Sequence, residues 1–246
     1  MTDKEVFAKK ITRRDFLKLF SVLPISYYEY FEKRKIKEIR EFLTNRERVK
    51  DFVALQVGVN DCGPSTIATI FNLFGYLYRD STKRVSPEDI KRVFAKNNNK
   101  YFDAHSKTVR NFRQPNGTMI FYDLICAYKM FKFETVPIFG ARWEEIENER
   151  LVDYGEIDSL MLNIKGVFDG GGVIVNFSTL YNGHFFILTD FEPVKDKDNR
   201  TIDAQVFVID GKGRGFVGGT TIKKYAPEMI GLVGILPGKG HFFEIG

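Results

Sequence analysis

Cys62 stands where a nucleophilic thiol would be built. The stretch Gln56-Val-Gly-Val-Asn-Asp-Cys62-Gly-Pro-Ser runs straight into Thr66-Ile-Ala-Thr-Ile-Phe-Asn-Leu-Phe-Gly75. Ile67, Ile70, Phe71 and Phe74 recur at the spacing of one buried helical face. Pro64 suits a first helical turn, where its missing N–H costs nothing, and Gly75 suits the stop. The thiol is therefore expected at a helix N-terminus, where unpaired N–H groups and the positive end of the helix dipole favour an anionic sulfur. The ordinary alternative is a buried structural cysteine. Asp61, Gly63 and Pro64 argue against it, because they describe a turn rather than a packed interior.

A thiol nucleophile needs a base, and the chain has three histidines. His184 lies in Tyr181-Asn-Gly-His-Phe-Phe-Ile-Leu-Thr189, where a turn signal meets a short apolar run. That places it at the mouth of a buried strand with its ring able to face a cleft. His105, in Asp103-Ala-His-Ser-Lys107, reads as a surface loop residue. His241 repeats the Gly-His-Phe-Phe pattern in the Gly-rich tail and is the one rival, but tails are poorly tied down. An orienting carboxylate should hold the imidazole. Gln205-Val-Phe-Val-Ile-Asp210 reads as an apolar strand ending in one, and pairing with the strand that opens at His184 would bring Asp210 to the ring. Asp190 reads as the close of the His184 strand, roughly 20 Å away at about 3.3 Å per residue, too far to bond. Gln56, just upstream of Cys62, could bind a developing oxyanion together with the Cys62 N–H. Alone it would read as a solvated side chain.

The order Gln56, Cys62, His184, Asp210, with Asp61-Cys62-Gly63-Pro64 around the thiol, resembles a papain-like cysteine peptidase. More narrowly it resembles the bacteriocin-processing (double-glycine leader) peptidase family in stand-alone form. The likeness runs from about Phe52 to Ile235, with a longer middle, roughly Arg79 to Asn116, than that family implies. It implies a thiol peptidase acting on a peptide or protein, with catalytic Cys62, His184, Asp210 and Gln56. It also implies the papain-like fold, N-terminal helices packed on a C-terminal antiparallel sheet. Two other readings use the same features: a thioester-forming acyltransferase, and a non-catalytic binding module at the cell envelope. No cofactor or metal is called for, since two cysteines and three scattered histidines lack zinc-ligand spacing.

The elements that must position these residues follow from the rest of the chain. Its 246 residues allow one domain with a sizeable core, expected over 52–246. The net charge of +5 lies wholly in residues 1–51, and 52–246 are balanced. The domain therefore has no charge excess to draw a phosphate backbone, and no nucleic-acid partner is expected. Residues 1–28 contain Thr12-Arg-Arg-Asp-Phe-Leu-Lys18, which matches the twin-arginine export pattern. That expectation places the protein in the cell envelope or outside the cell. The rival is an amphipathic surface helix of a cytoplasmic protein, since Pro24 breaks a short apolar run and no small-x-small cleavage site follows. Residues 29–51 read as an amphipathic linker helix, and 1–51 together could touch an anionic membrane surface. No run of about 20 apolar residues exists to span a membrane.

Within the domain, Ser86 to Phe94 reads as a capped helix ended by Asn97, and 117–131 as a helix burying Cys126 as a structural residue. Glu156 to Phe168 forms a third helix, with Ile157, Leu160, Met161, Ile164 and Phe168 on one face. Gly170-Gly-Gly172 then turns the chain into the strand Val173–Phe177 rather than cradling a phosphate. Helices first and strands later give an α+β class. The two cysteines do not make a disulfide framework.

Overall fold

Capping residues and apolar stripes are local instructions, and the chain follows most of them. The structure, a computed structural model, describes residues 25–58, 60–79, 81–97, 100–103, 108–111, 121–140, 151–178 and 183–237. The twin-arginine stretch 12–18, His105 and His241 lie outside the described residues. Two compact units divide the chain, Met1–Glu38 and Ile39–Gly246. The described part of the first is the opening of helix α1 (Ile25–Leu43), where Arg34 and Glu38 form an exposed ion pair at 3.2 Å.

Residues 39–51, expected within a linker helix, fall in the larger unit. They are not one helix, because Asn45 restarts the chain. Its side chain accepts from the Arg48 N–H and caps helix α2 (Arg46–Val49), which passes into a 3-10 turn, Lys50–Phe52. Helix α3 (Cys62–Arg79) begins at the expected residue and buries Ile67, Ile70, Phe71 and Phe74. It does not stop at Gly75. The added turn carries Tyr76 against the rings of Phe42 and Phe52, at 5.3 and 4.9 Å, and lets the Tyr78 hydroxyl donate to Gly171 O at 2.7 Å. These contacts outweigh the cost of about 1 kcal/mol for a helical glycine.

Helix α4 (Pro87–Lys96) has the full capping box, Ser86 and Asp89 each accepting from the other's backbone N–H, and Asn97 ends it. The long middle region contains an antiparallel hairpin, β1 (Lys100–Asp103) with β2 (Thr108–Asn111). Helix α5 (Phe121–Met130) buries Cys126 as expected.

The remaining strands are β3 (Glu134–Phe139), β4 (Val173–Ser178), β5 (His184–Lys195), β6 (Thr201–Asp210), β7 (Phe216–Thr221) and β8 (Met229–Leu236). They form a six-stranded antiparallel sheet in the order β3-β8-β4-β5-β6-β7. Strands β4 and β5 take central places because Val173-Ile-Val175 and Phe185-Phe-Ile-Leu188 are apolar on both faces and wholly buried. Helix α6 (Ile157–Asp169) lays Ile157, Ile164 and Val167 against Ile174, Leu188 and Leu232 of the sheet. Truncating Ile164 to alanine would cost about 2–5 kcal/mol. The four-residue helix α7 (Ile222–Tyr225) links β7 towards β8. The class is thus α+β, helices followed by an antiparallel sheet. Strand β5 runs beyond Asp190, which lies mid-strand beside a register shift rather than at the strand's close. Among the described residues, no helix is long and apolar enough to cross a membrane.

Candidate active site

Helix α3 is buried on its polar side too, and that burial fixes the site. Ser65, Thr69 and Asn72 recur at helical spacing and bond the extended segment before the helix. The Ser65 hydroxyl donates to Ala54 O, Thr69 accepts from the Ala54 N–H at 3.0 Å, and Asn72 donates to Phe52 O at 3.2 Å. On its other edge the segment joins the end of β6, where the Gln56 N–H donates to Gly211 O at 2.8 Å. Gly211 must be glycine for this approach: a Cβ there would lie 2.3 Å from Ser65 Oγ and 2.5 Å from Ala54 O. Thr66, one turn after Cys62, bonds Cys62 O at 2.7 Å and reaches Phe185 O at 3.5 Å, the residue after His184. The start of α3, the start of β5 and the end of β6 therefore converge.

Three of the four residues singled out from the sequence meet there. His184 Nε2–H donates to Asp210 Oδ2 at 2.9 Å, and Cys62 lies near enough to help raise the imidazole pKa. His184 is 9% exposed and Asp210 5%, so water screens their attraction poorly. Burial alone would pull the imidazole pKa down. The bonds and charges of Asp210 and Cys62 outweigh it and hold the ring at about 9. Burial likewise opposes the Asp210 charge, yet bonds from His184, Tyr225 and the Lys212 N–H hold its pKa below the usual carboxylate range. Cys62 is half-buried, while Cys126 is buried.

Gln56 is brought to the edge of this cluster by its backbone bond to Gly211, next to Asp210. Its carboxamide donates to Gly58 O at 2.7 Å. Among the described residues, no group of three or more His, Cys, Asp or Glu side chains could hold a metal ion.

Two contributors were missed from sequence. Tyr225 donates its hydroxyl to Asp210 Oδ2, the oxygen that also binds His184. Burial first, and then the Asp210 charge, push its pKa up, so it remains a donor. The ring is fixed by Phe186 and Phe216, at 5.0 and 5.3 Å. Asp61, read as a turn residue within the Asp61-Cys62-Gly63-Pro64 motif and given no role of its own, is 4% exposed and braces the turn before Cys62. One oxygen accepts from the Gly58 N–H at 2.8 Å and the other meets Lys91 Nζ at 2.6 Å. A Ser or Asp near a helix start signals a cap, which was a usable clue for Asp61. Nothing local marks Tyr225.

No protein-family model matches this chain, and neither does any curated protein. Among solved structures it is similar to the crystal structure of the peptidase domain of Streptococcus ComA, described as a bi-functional ABC transporter involved in a quorum-sensing pathway. Identity is 15%, the match covers 75% of this chain and 96% of that one, and the TM-score is 0.40.

Proposed function

We propose that this protein is a cysteine peptidase of papain-like arrangement, hydrolysing peptide bonds through Cys62, His184 and Asp210. The observation that carries the proposal is one buried imidazole bonded to the Asp210 carboxylate, with its pKa raised by that carboxylate and by the Cys62 thiol at the start of α3. With His184 held at about 9, the ring is protonated at neutral pH and can carry the proton taken from sulfur. The Cys62 sulfur then attacks the substrate carbonyl carbon, and the carbonyl electron pair moves onto oxygen. The Cys62 N–H at the start of α3 and the Gln56 carboxamide are assigned to that oxyanion, a donor being worth about 3 kcal/mol in such sites. As the C–N bond breaks, His184 gives its proton to the departing amine, leaving a thioester on Cys62. Neutral His184 next takes a proton from water as its oxygen adds to the thioester carbon; the C–S bond then breaks, the carboxylic acid product leaves, and the sulfur is again paired with protonated His184. Asp210 keeps the Nε2 proton in place throughout, which fixes the ring orientation.

The test is hydrolysis of a mixed peptide library by wild type and by Cys62→Ala. Cleavage lost in the variant supports the proposal. Cleavage at the wild-type rate by Cys62→Ala overturns it.

A further inference from the structure

A cavity of about 490 Å³ opens beside the imidazole, a volume within the range of roughly 300–1,000 Å³ that holds small ligands and short peptide segments. Its walls include His184, Asp210, Phe186 and Tyr225, with Lys212 and Lys224 also lining it. Cys62 is not in the lining. We infer that this cavity is the leaving-group subsite and that it takes an acidic residue, Asp or Glu, a few positions after the cleaved bond. The inference rests on the peptidase reading above.

The side of the bond follows from the chemistry. After the first step the acyl half of the substrate is attached to Cys62, and the amine half departs with a proton from His184. A cavity walled by the imidazole and not by the thiol lies on the amine half's path. The sign of the preference follows from charge. Among the described lining residues, the charges are the His184–Asp210 pair, which neutralises itself, and the two lysines. The chain from 211 to 228 carries Lys212, Arg214, Lys223 and Lys224 against one carboxylate, Glu228, although residues 52–246 as a whole are balanced. The positive charge is therefore local to this rim. Phe186 and Tyr225, ring centroids 5.0 Å apart, offer apolar wall to the methylenes of a Glu side chain. Lys212 and Lys224 are exposed at the mouth, so each would contribute modestly and in a salt-dependent way.

The test uses the full chain and a peptide library in which each position carries Asp or Glu, or the isosteric Asn or Gln. New N-termini are sequenced by mass spectrometry. Wild type should enrich acidic residues in the first three positions after the cut by roughly three- to tenfold at low salt. About 0.5 M NaCl should erase most of this. Lys212→Glu/Lys224→Glu should abolish or invert the preference, and it keeps the Lys212 backbone N–H that holds Asp210. A competition arm measures inhibition or binding by Glu-bearing hexapeptides against their Gln counterparts, and does not require turnover. Equal handling of acidic and isosteric peptides by wild type in both arms, or a preference unchanged in the double variant, overturns the inference. Library cleavage that persists in Cys62→Ala overturns instead the peptidase reading, and the leaving-group assignment with it.

Discussion

Tyr225→Phe isolates one hydrogen bond. It removes the hydroxyl that donates to Asp210 Oδ2 and keeps the ring that packs on Phe186 and Phe216. Asp210 retains two donors, His184 Nε2–H at 2.9 Å and the Lys212 N–H at 2.8 Å. A bond to a charged group is worth about 1.5–3 kcal/mol, and Tyr225 borders an open cavity from which water can replace part of it. The net loss should lie near 1–1.5 kcal/mol, or roughly tenfold in kcat/KM if it appears wholly in the transition state. Tyr225 is a positioning residue acting through Asp210, so the pH profile is the diagnostic readout. The phenol helps hold the Asp210 pKa down, and without it that pKa rises. The Oδ2 oxygen, no longer shared, binds the imidazolium more firmly, so the alkaline limb set by His184 should move above about 9. The assay is kcat/KM against pH on a library-derived peptide, with Phe216→Leu as a control that disturbs the ring and leaves the bond. A Tyr225→Phe enzyme with wild-type limbs and rate, or a Phe216→Leu enzyme with the same shifted limbs, would refute the reasoning.

Stability should depend on pH through the same pair. His184 sits near 9 in the fold against an ordinary 6.5, so its contribution is fully present below 6.5 and is lost as pH rises through 9. Wild type should lose on the order of 3 kcal/mol over that window in urea titrations, and Asp210→Asn much less. Equal losses in the two proteins would contradict the pairing. Asp61→Ala strands the Gly58 N–H and removes the nearer of two carboxylates from Lys91, and should lower stability by about 1–2 kcal/mol. It should also cut kcat more than Lys91→Gln does, because the turn ahead of Cys62 loosens. Equal kcat in the two variants would show that the turn does not position the thiol.

Much of the site could be read before any fold was in view, because its parts lie where one local signal gives way to another. Cys62 precedes a proline and an apolar stripe, His184 follows Asn-Gly, and Asp210 closes an apolar run. Their meeting depended on β5 pairing with β6, which two apolar strands close in sequence made a fair expectation. Other parts are tertiary. Tyr225 lies on a four-residue helix without periodicity, and only the sheet brings it to Asp210. Asp61 meets Lys91 because α3 packs on α4, a contact between segments that carry no mutual signal. Gly75 was a fair stop by propensity and was overruled by the packing of Tyr76 and Tyr78. The break at Asn45 was legible, since an Asn followed by an acidic first turn is a cap, but the amphipathic pattern across 29–51 concealed it.

The thiol itself offers the most direct measurement. Wild type treated briefly with iodoacetamide at about pH 6 should carry the label on Cys62 and not on Cys126, as read by peptide mass spectrometry. His184→Ala, with folding checked by circular dichroism, should slow that labelling at least about tenfold. Equal labelling of both cysteines, or a Cys62 rate indifferent to His184, would mean that the imidazole does not activate the sulfur.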